Sequence, residues 1–387
     1  MTRDSDKLAR RRIAYLLLDL PGAGTTIQGF TVCESLCERG ADVDLVVVRN
    51  AGILAERVPA GVRVVELCGV ARRRGGPAFP TRLIAAFRLA RYLGSERPAV
   101  VLSGASGSNL IALAASRLSG RGSRVVLTIT NDFYHRRHAG DRGRQASAFL
   151  ARRFYGGADK VIAVCGKMAQ SLVEEEGLPE PVVEAIHPPI DVAAIRERAE
   201  EPVDHPWFAP GAPPVVISVG RPSAQKCLEV MIDAVALVNE QREVRLFNLG
   251  EGPKRTVDRL RARARARGIG DRVELVPFEA NPFKYMARAR VVALSSLWEG
   301  SPIVLKEALA CGCPSVATDC PFGPWDILGG GKYGALVPMN DPTAMAEAIL
   351  GQLADPIPAD VLRRRALDFD LEVSIAQYEA LIVGLLD

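Results

Sequence analysis

Short apolar runs and amphipathic segments alternate along this chain in two successive series, with a proline-rich stretch between them. In the first series, residues 12–18, 43–48, 62–67, 99–102, 124–130 and 160–164 read as strands. Helical patterns fall between them, one ending at Arg39 and others over 81–93 and 110–118. In the second, residues 215–219, 244–249, 273–276, 291–294 and 315–317 read as strands, with helices over 228–239 and 255–267. Near-continuous apolar strands separated by helices imply a parallel sheet covered on both faces. Residues 160–164 are expected to close the first sheet. Residues 187–214 carry Pro188, Pro189, Pro202, Pro206, Pro210, Pro213 and Pro214 and read as a linker. At 387 residues the chain exceeds what one core usually serves. The expected organisation is α/β, with one Rossmann-like domain over 1–200, a second over 201–370, and a C-terminal helix over 371–387 that packs back on the first.

Composition narrows the class. Hydrophobic residues make up 48% and charged residues 24%, as in ordinary globular proteins. No apolar run reaches the length of a membrane-spanning helix. The apolar run that follows the charged N-terminal tail is short, contains Asp19 and lacks a small-residue cleavage site, so it reads as a buried strand. The eight cysteines form no pair of C-x2-C motifs, and only four histidines are present, so neither a disulfide framework nor a zinc site is expected. A cytoplasmic setting follows as the expectation. Residues 1–210 hold 29 Lys and Arg against 23 Asp and Glu, whereas 211–387 hold 20 against 22. The basic excess includes Arg72–Arg74 and the arginines from Arg136 to Arg153, which suits an anionic membrane surface. No nucleic-acid motif or aromatic platform accompanies it.

Several loops carry chemistry. Residues 294–309, LSSLWEGSPIVLKEAL, read as a strand end, a turn and a helix entered through Ser301 as N-cap and Pro302 as first helical residue. The backbone N–H groups of Gly300, Ser301, Pro302's neighbour Ile303 and beyond then form an anion cradle at the C-terminal edge of a sheet. Glu299 and Glu307 flank it as E-x7-E. Carboxylates repel phosphate but accept hydrogen bonds from hydroxyls, so the combination suits a sugar nucleotide. Arg221 and Lys226, in the polar turn after residues 215–219, could neutralise a diphosphate. Gly250 opens a second glycine-rich turn, and Gly22 and Gly24 a third. Asn131, Asp132 and His135 follow a strand of the first series. Asp42 and Asp44 form a D-x-D at the start of a strand, the wrong end for a metal site, and Cys311-Gly312-Cys313 reads as a helix stop.

In order, VGRPSAQK, NLGEGPKR, the stretch 271–291, LSSLWEGSPIVLKEALACGCPSVATDC and GKYGALVP resemble the C-terminal domain of glycosyltransferase family 4. The likeness is dense over about residues 215–340 and looser before them. It implies the GT-B fold, two Rossmann-like domains facing across a cleft, with a nucleotide-sugar donor on the second domain and a saccharide or lipid-linked saccharide acceptor on the first. It implies no metal and no cofactor, and retention of anomeric configuration. Position by position, it implies that Arg221 and Lys226 grip the donor diphosphate and that Glu307 accepts from the ribose. Glu299 lies near the transferred sugar, and Gly300, Ser301, Pro302, Ile303, Gly250, Gly22 and Gly24 line the donor. The acceptor side falls to Asn131, Asp132 and His135. The motifs look most like enzymes that use UDP-sugars in polysaccharide assembly at the inner face of the cytoplasmic membrane. Cys227 stands where the family usually has Gly, and Trp325-Asp326 where it usually has Arg-Glu. Two other readings are a GT-B nucleotide-sugar epimerase and a non-catalytic sugar-nucleotide-binding component of an assembly complex.

Overall fold

The computed structural model describes residues 8–20, 24–69, 79–120, 122–130 and 153–387. The chain divides into two compact units, Met1–Pro189 with Glu372–Asp387, and Ile190–Leu371. The division falls after Pro189, ahead of the boundary expected from the sequence.

The first unit is built on seven strands: β1 (Arg12–Leu17), β2 (Asp42–Val47), β3 (Arg63–Glu66), β4 (Val100–Ser103), β5 (Arg124–Ile129), β6 (Lys160–Ala163) and β7 (Val183–Ala185). Their order is β3-β2-β1-β4-β5-β6-β7, and every pairing is parallel. Residues Ile13–Leu17 and Val125–Ile129 are buried throughout, because helices cover both faces of these strands. The sheet closes on β7 rather than on β6. Its sequence, Val-Glu-Ala, is half-buried and has no apolar run to announce it. Asp44 of the D-x-D is a structural group. It is buried at the N-terminal half of β2, accepts two hydrogen bonds from Arg63 at 2.7 and 2.6 Å, and accepts another from the Tyr92 hydroxyl at 2.5 Å. The helix Leu371–Leu386 supplies the end of this unit. Arg39 ties it down through Glu372 at 2.7 Å and Glu379 at 3.4 Å.

The second unit has six parallel strands: β8 (Val215–Val219), β9 (Arg245–Leu249), β10 (Val273–Val276), β11 (Val291–Leu294), β12 (Ser315–Thr318) and β13 (Ala335–Val337). The order is β10-β9-β8-β11-β12-β13, so the strand order reverses between β8 and β11. Side chains alternate between two cores, with Val216, Leu246 and Ala293 on one face and Ile217, Phe247 and Leu294 on the other. The proline-rich stretch is not a free linker. It contains the helix Val192–Ala199, capped by Asp191, whose carboxylate accepts from the Ala194 N–H at 2.8 Å. Val192, Ile195 and Ala199 are buried in the second core. An eight-residue helix between prolines is too short for its periodicity to stand out.

The arginine-rich segment forms the helix Lys254–Ala266. Its basic residues are partly taken up in ion pairs. Arg263 and Arg267 both pair with Asp233, and Arg259 pairs with Glu229. The Cys311-Gly312-Cys313 segment is a helix stop. Gly312 is left-handed at φ 76°, the Cys313 N–H reaches the Ala308 carbonyl at 2.9 Å, and both thiols are buried.

Candidate active site

Open α/β sheets bind ligands beyond the carboxyl ends of their strands, where the strand order reverses. In the second unit that point lies between β8 and β11. The loop of Arg221 and Lys226 leaves β8, and the turn of Glu299–Pro302 leaves β11. These two loops are stitched together. The Leu297 N–H donates to the Gln225 carbonyl at 2.8 Å, and Gln225 Nε2 donates to the Trp298 carbonyl at 2.8 Å. Ser295 Oγ donates to the carbonyls of Lys226 and Cys227 at 2.8 and 3.1 Å.

Glu299 is buried and accepts from Lys226 Nζ at 2.6 Å, Ser296 Oγ at 2.7 Å and Gln225 Nε2 at 3.4 Å. Lys226 therefore comes to the site already paired, with two of its three ammonium donors left for other acceptors. Arg221 is exposed and pairs with no carboxylate among the described residues.

Two glycines hold the loops close. A Cβ on Gly250 would lie 2.3 Å from the Gly220 carbonyl oxygen and 2.9 Å from the Arg221 nitrogen, so Gly250 packs directly beneath the arginine loop. A Cβ on Gly323 would lie 2.3 Å from the Gly300 oxygen and 2.7 Å from Ser301 Cα and Pro302 Cδ. Gly323 thus seats the Gly300–Pro302 turn from below, a contact that the sequence reading did not identify. Glu299 also pairs with Phe322 in a parallel bridge.

The helix after the turn begins one residue later than expected. It spans Ile303–Cys311, with Pro302 in the extended N-cap position and no side-chain cap bond. Ser301 is therefore not the cap, and Pro302 is not the first helical residue. With φ fixed near −67°, Pro302 occupies the flank of the helix, and Gly323 leaves it no room to move inward.

Glu307 lies on that helix in a different setting from Glu299. It is half-buried and makes no hydrogen bond or ion pair among the described residues. Desolvation pushes its carboxyl up to about 7, against the pull of the Arg198 and Lys306 charges. Lys306 is fully buried, its ammonium 5.1 Å over the Phe369 ring. Cys227, where the family has Gly, adopts a left-handed conformation at φ 45°, ψ 49° as it enters the helix Leu228–Asn239. Trp325 is 41% exposed, and Arg365 donates to the Asp326 and Ile327 carbonyls behind it at 2.6 and 3.1 Å.

Arg221, Lys226, Gly250, Glu299, Gly300, Ser301, Pro302 and Ile303 thus gather at one edge of the second sheet. Gly24 begins the helix Gly24–Glu38 of the first unit. Gly22, Asn131, Asp132 and His135 lie outside the described residues, as do Arg72–Arg74 and Arg136–Arg152. A cavity of about 410 Å³ lies along Asp233, Asn239, Arg267, Arg272 and Pro342, and none of the expected donor residues lines it. Among the described residues no group of three or more His, Cys, Asp or Glu could hold a metal ion, and no helix is long and apolar enough to cross a membrane.

Residues 213–355 match the family model for glycosyl transferases group 1, and residues 22–189 match that for a glycosyl transferase 4-like domain. The chain is 28% identical over 271 residues to the N-acetylgalactosamine-N,N'-diacetylbacillosaminyl-diphospho-undecaprenol 4-alpha-N-acetylgalactosaminyltransferase of Campylobacter jejuni, covering 69% of this chain and 70% of that one. It is 28% identical to the D-inositol 3-phosphate glycosyltransferase 1 of Catenulispora acidiphila over 89% of this chain and 85% of that one. Among solved structures, a glycosyltransferase from Rickettsia africae superposes with a TM-score of 0.78 at 13% identity, over 98% of this chain and 99% of that one. Anabaena HepE in complex with UDP-glucose superposes at 0.77 and 19% identity, over 97% of this chain and the whole of the other. These likenesses do not favour an epimerase or a non-catalytic component. The two matched domains account for most of the chain, which belongs to the GT4-type glycosyltransferases of the GT-B fold and is a transferase of glycan biosynthesis.

Proposed function

We propose that the protein is a retaining glycosyltransferase that moves a sugar from a UDP-linked donor to a saccharide or lipid-linked saccharide acceptor. The observation that carries the reading is the meeting of Arg221, Lys226 and the N–H groups of the 300–303 turn at the strand-order reversal of the second sheet. Diphosphate becomes more negative as the glycosidic bond breaks. Fixed donors aimed at it stabilise the transition state more than the ground state. Arg221 offers a bidentate fork, Lys226 a point charge held in place by Glu299, and the turn a pair of backbone donors. In this reading the bond between the anomeric carbon and the phosphate oxygen breaks. The acceptor hydroxyl oxygen attacks the same face of the sugar, and its proton passes to the departing phosphate. No side chain forms a covalent intermediate.

Glu307 accepts from the ribose hydroxyls, and Glu299 meets the transferred sugar while orienting Lys226. Gly250 allows the arginine loop to approach the phosphates, and Gly22 and Gly24 are assigned to donor binding as well. Asn131, Asp132 and His135 belong to the acceptor side. HepE has been solved with UDP-glucose, and the Campylobacter relative is named for an undecaprenol-linked acceptor; both support this donor and acceptor class. A peripheral site on the inner face of the cytoplasmic membrane, reached through the basic excess of residues 1–210, completes the reading.

Thermal unfolding with UDP, GDP and ADP, each with and without chelator, tests it. Ligand at about 100 times its Kd adds roughly 2.7 kcal/mol. A UDP-selective shift that chelator leaves unchanged is the expected result, followed by sugar transfer to an added acceptor with retained configuration. A shift selective for GDP or ADP overturns the donor assignment, and no shift with any nucleotide overturns the donor site.

A further inference from the structure

Arg198, in the last turn of the helix Val192–Ala199, connects two parts of the second unit that the family motifs treat separately. Its guanidinium donates to the Ala280 carbonyl and lies 4.9 Å over the Phe283 ring. Its own carbonyl accepts from Asn281 Nδ2 at 2.8 Å. Asn281 organises the rest of that loop, its N–H donating to Glu279 at 3.0 Å and its Oδ1 accepting from the Phe283 N–H at 3.2 Å. Arg288 locks the same helix end by donating to the Ala199 carbonyl at 3.0 Å. The loop leaves β10 at the carboxyl edge of the sheet, the edge that also carries Arg221, Lys226 and the 300–303 turn. The helix of Arg198 also packs against Ile303–Cys311, the helix of Glu307, and the Phe283 carbonyl at the end of the loop accepts from the Cys311 thiol of that helix at 3.8 Å.

We propose that Arg198 is a positioning and specificity residue of the nucleotide site, which fixes the Glu279–Phe283 loop against the helix that carries Glu307 so that this carboxylate reads both hydroxyls of a ribose. The inference rests on the donor reading above and deepens it. A carboxylate with no protein partner accepts two hydroxyl donors well and one badly, because the second lone pair is then left desolvated. Arg198 also favours the charged form of Glu307, the form that accepts. Other charged or titratable groups on the packed elements are Lys306 and Cys311 of its own helix, Arg196 and Glu197 of Val192–Ala199, Lys284 and Tyr285 of Phe283–Met286, Asp326 of Gly323–Ile327, and Asp360, Arg363, Arg364 and Arg365 of Ala359–Ala366. Burial pushes the Cys311 thiol up to about 12, so it does not titrate where Glu307 does.

The test uses the full chain and compares whichever of UDP, GDP and ADP binds most tightly with its 2'-deoxy counterpart, across pH 5–9. The wild-type chain should prefer the ribose form by about tenfold or more. Arg198→Ala should cut that preference to about twofold and move the midpoint of the pH dependence upward. Arg198→Lys should restore the midpoint, because the charge returns, but not the affinity, because the paired contacts to Ala280 and Phe283 do not. An Arg198→Ala variant that keeps both the preference and the midpoint and loses only thermal stability overturns the proposal and leaves the donor reading intact. Absence of nucleotide binding by the wild-type chain overturns both.

Discussion

Lys226 Nζ meets the Glu299 carboxylate at 2.6 Å, with the lysine side chain 20% exposed and the glutamate side chain 6% exposed. The two residues come from loops on either side of the strand-order reversal, and the pair acts as a strut between them. Removing one partner of a buried pair strands the other charge, at a cost of about 3 kcal/mol. Glu299→Ala is expected to lower the urea midpoint accordingly and to abolish transfer. Glu299→Gln keeps an acceptor for Lys226 and Ser296 and should lose less stability. Equal losses in the two variants would show that the carboxylate charge, and not its hydrogen bonds, holds the loops.

Glu307 ties stability to pH in the direction opposite to most carboxylates. Its folded pKa is raised from 4.5 to about 7, so between those values the folded state holds a proton that the unfolded state has lost. The contribution of this group to stability is therefore present below about pH 4.5 and is lost as pH rises through about 7. Glu307→Gln should remove that slope and stabilise the protein by about 1 kcal/mol at pH 8, while weakening nucleotide binding. Thermal unfolding of both forms at pH 5 and pH 8 checks the sign. A variant that is less stable at pH 8 would make Glu307 a structural anchor and end its ribose role.

Cys227 carries a side chain in the left-handed region, at φ 45°. That conformation costs a residue with a Cβ about 1 kcal/mol, and glycine adopts it freely. Cys227→Gly should raise the unfolding midpoint, whereas Cys227→Ala should not, since alanine keeps the Cβ. Calorimetry on the two variants separates relief of backbone strain from loss of the thiol.

Gly250 leaves no space for a methyl group, since a Cβ there would sit 2.3 Å from the Gly220 oxygen. Gly250→Ala should push the Arg221 loop outward and cost about 2 kcal/mol. Donor affinity should fall further than stability alone accounts for. Nucleotide titration at a temperature where the variant remains folded distinguishes the two effects.

Most of the second sheet was readable because strands such as Val291–Leu294 are buried along their whole length and appear as apolar runs, whereas the three-residue strand Ala335–Val337 was not read. Val215–Val219, Val273–Val276 and Val291–Leu294 fall where the sequence put them. The strand Val183–Ala185 and the helix Val192–Ala199 were missed for one reason: three half-buried residues and eight residues between prolines give periodicity too little length to act on. Within the site, the motif supplied Glu299 and Lys226 but not their contact, which joins residues 73 positions apart. Ser296 and Gln225, which also donate to Glu299, are ordinary polar residues whose role appears only once the two loops are adjacent. Cys227 was legible as a departure from the family, and its backbone angle explains why glycine is usual there.

The first unit owns both ends of its own fold, because its final helix, Leu371–Leu386, follows the whole of the second unit along the chain. During synthesis, which proceeds at about 5–20 residues per second, the N-terminal sheet emerges before the second unit yet waits for Leu371–Leu386, made after that unit, to complete its own. Until then Arg39 lacks both Glu372 and Glu379. A chain truncated before Glu372 should therefore damage the domain made earliest and spare the one made just before the cut. Nascent-chain protease protection would register this as an N-terminal unit that becomes resistant only once Leu371–Leu386 has emerged.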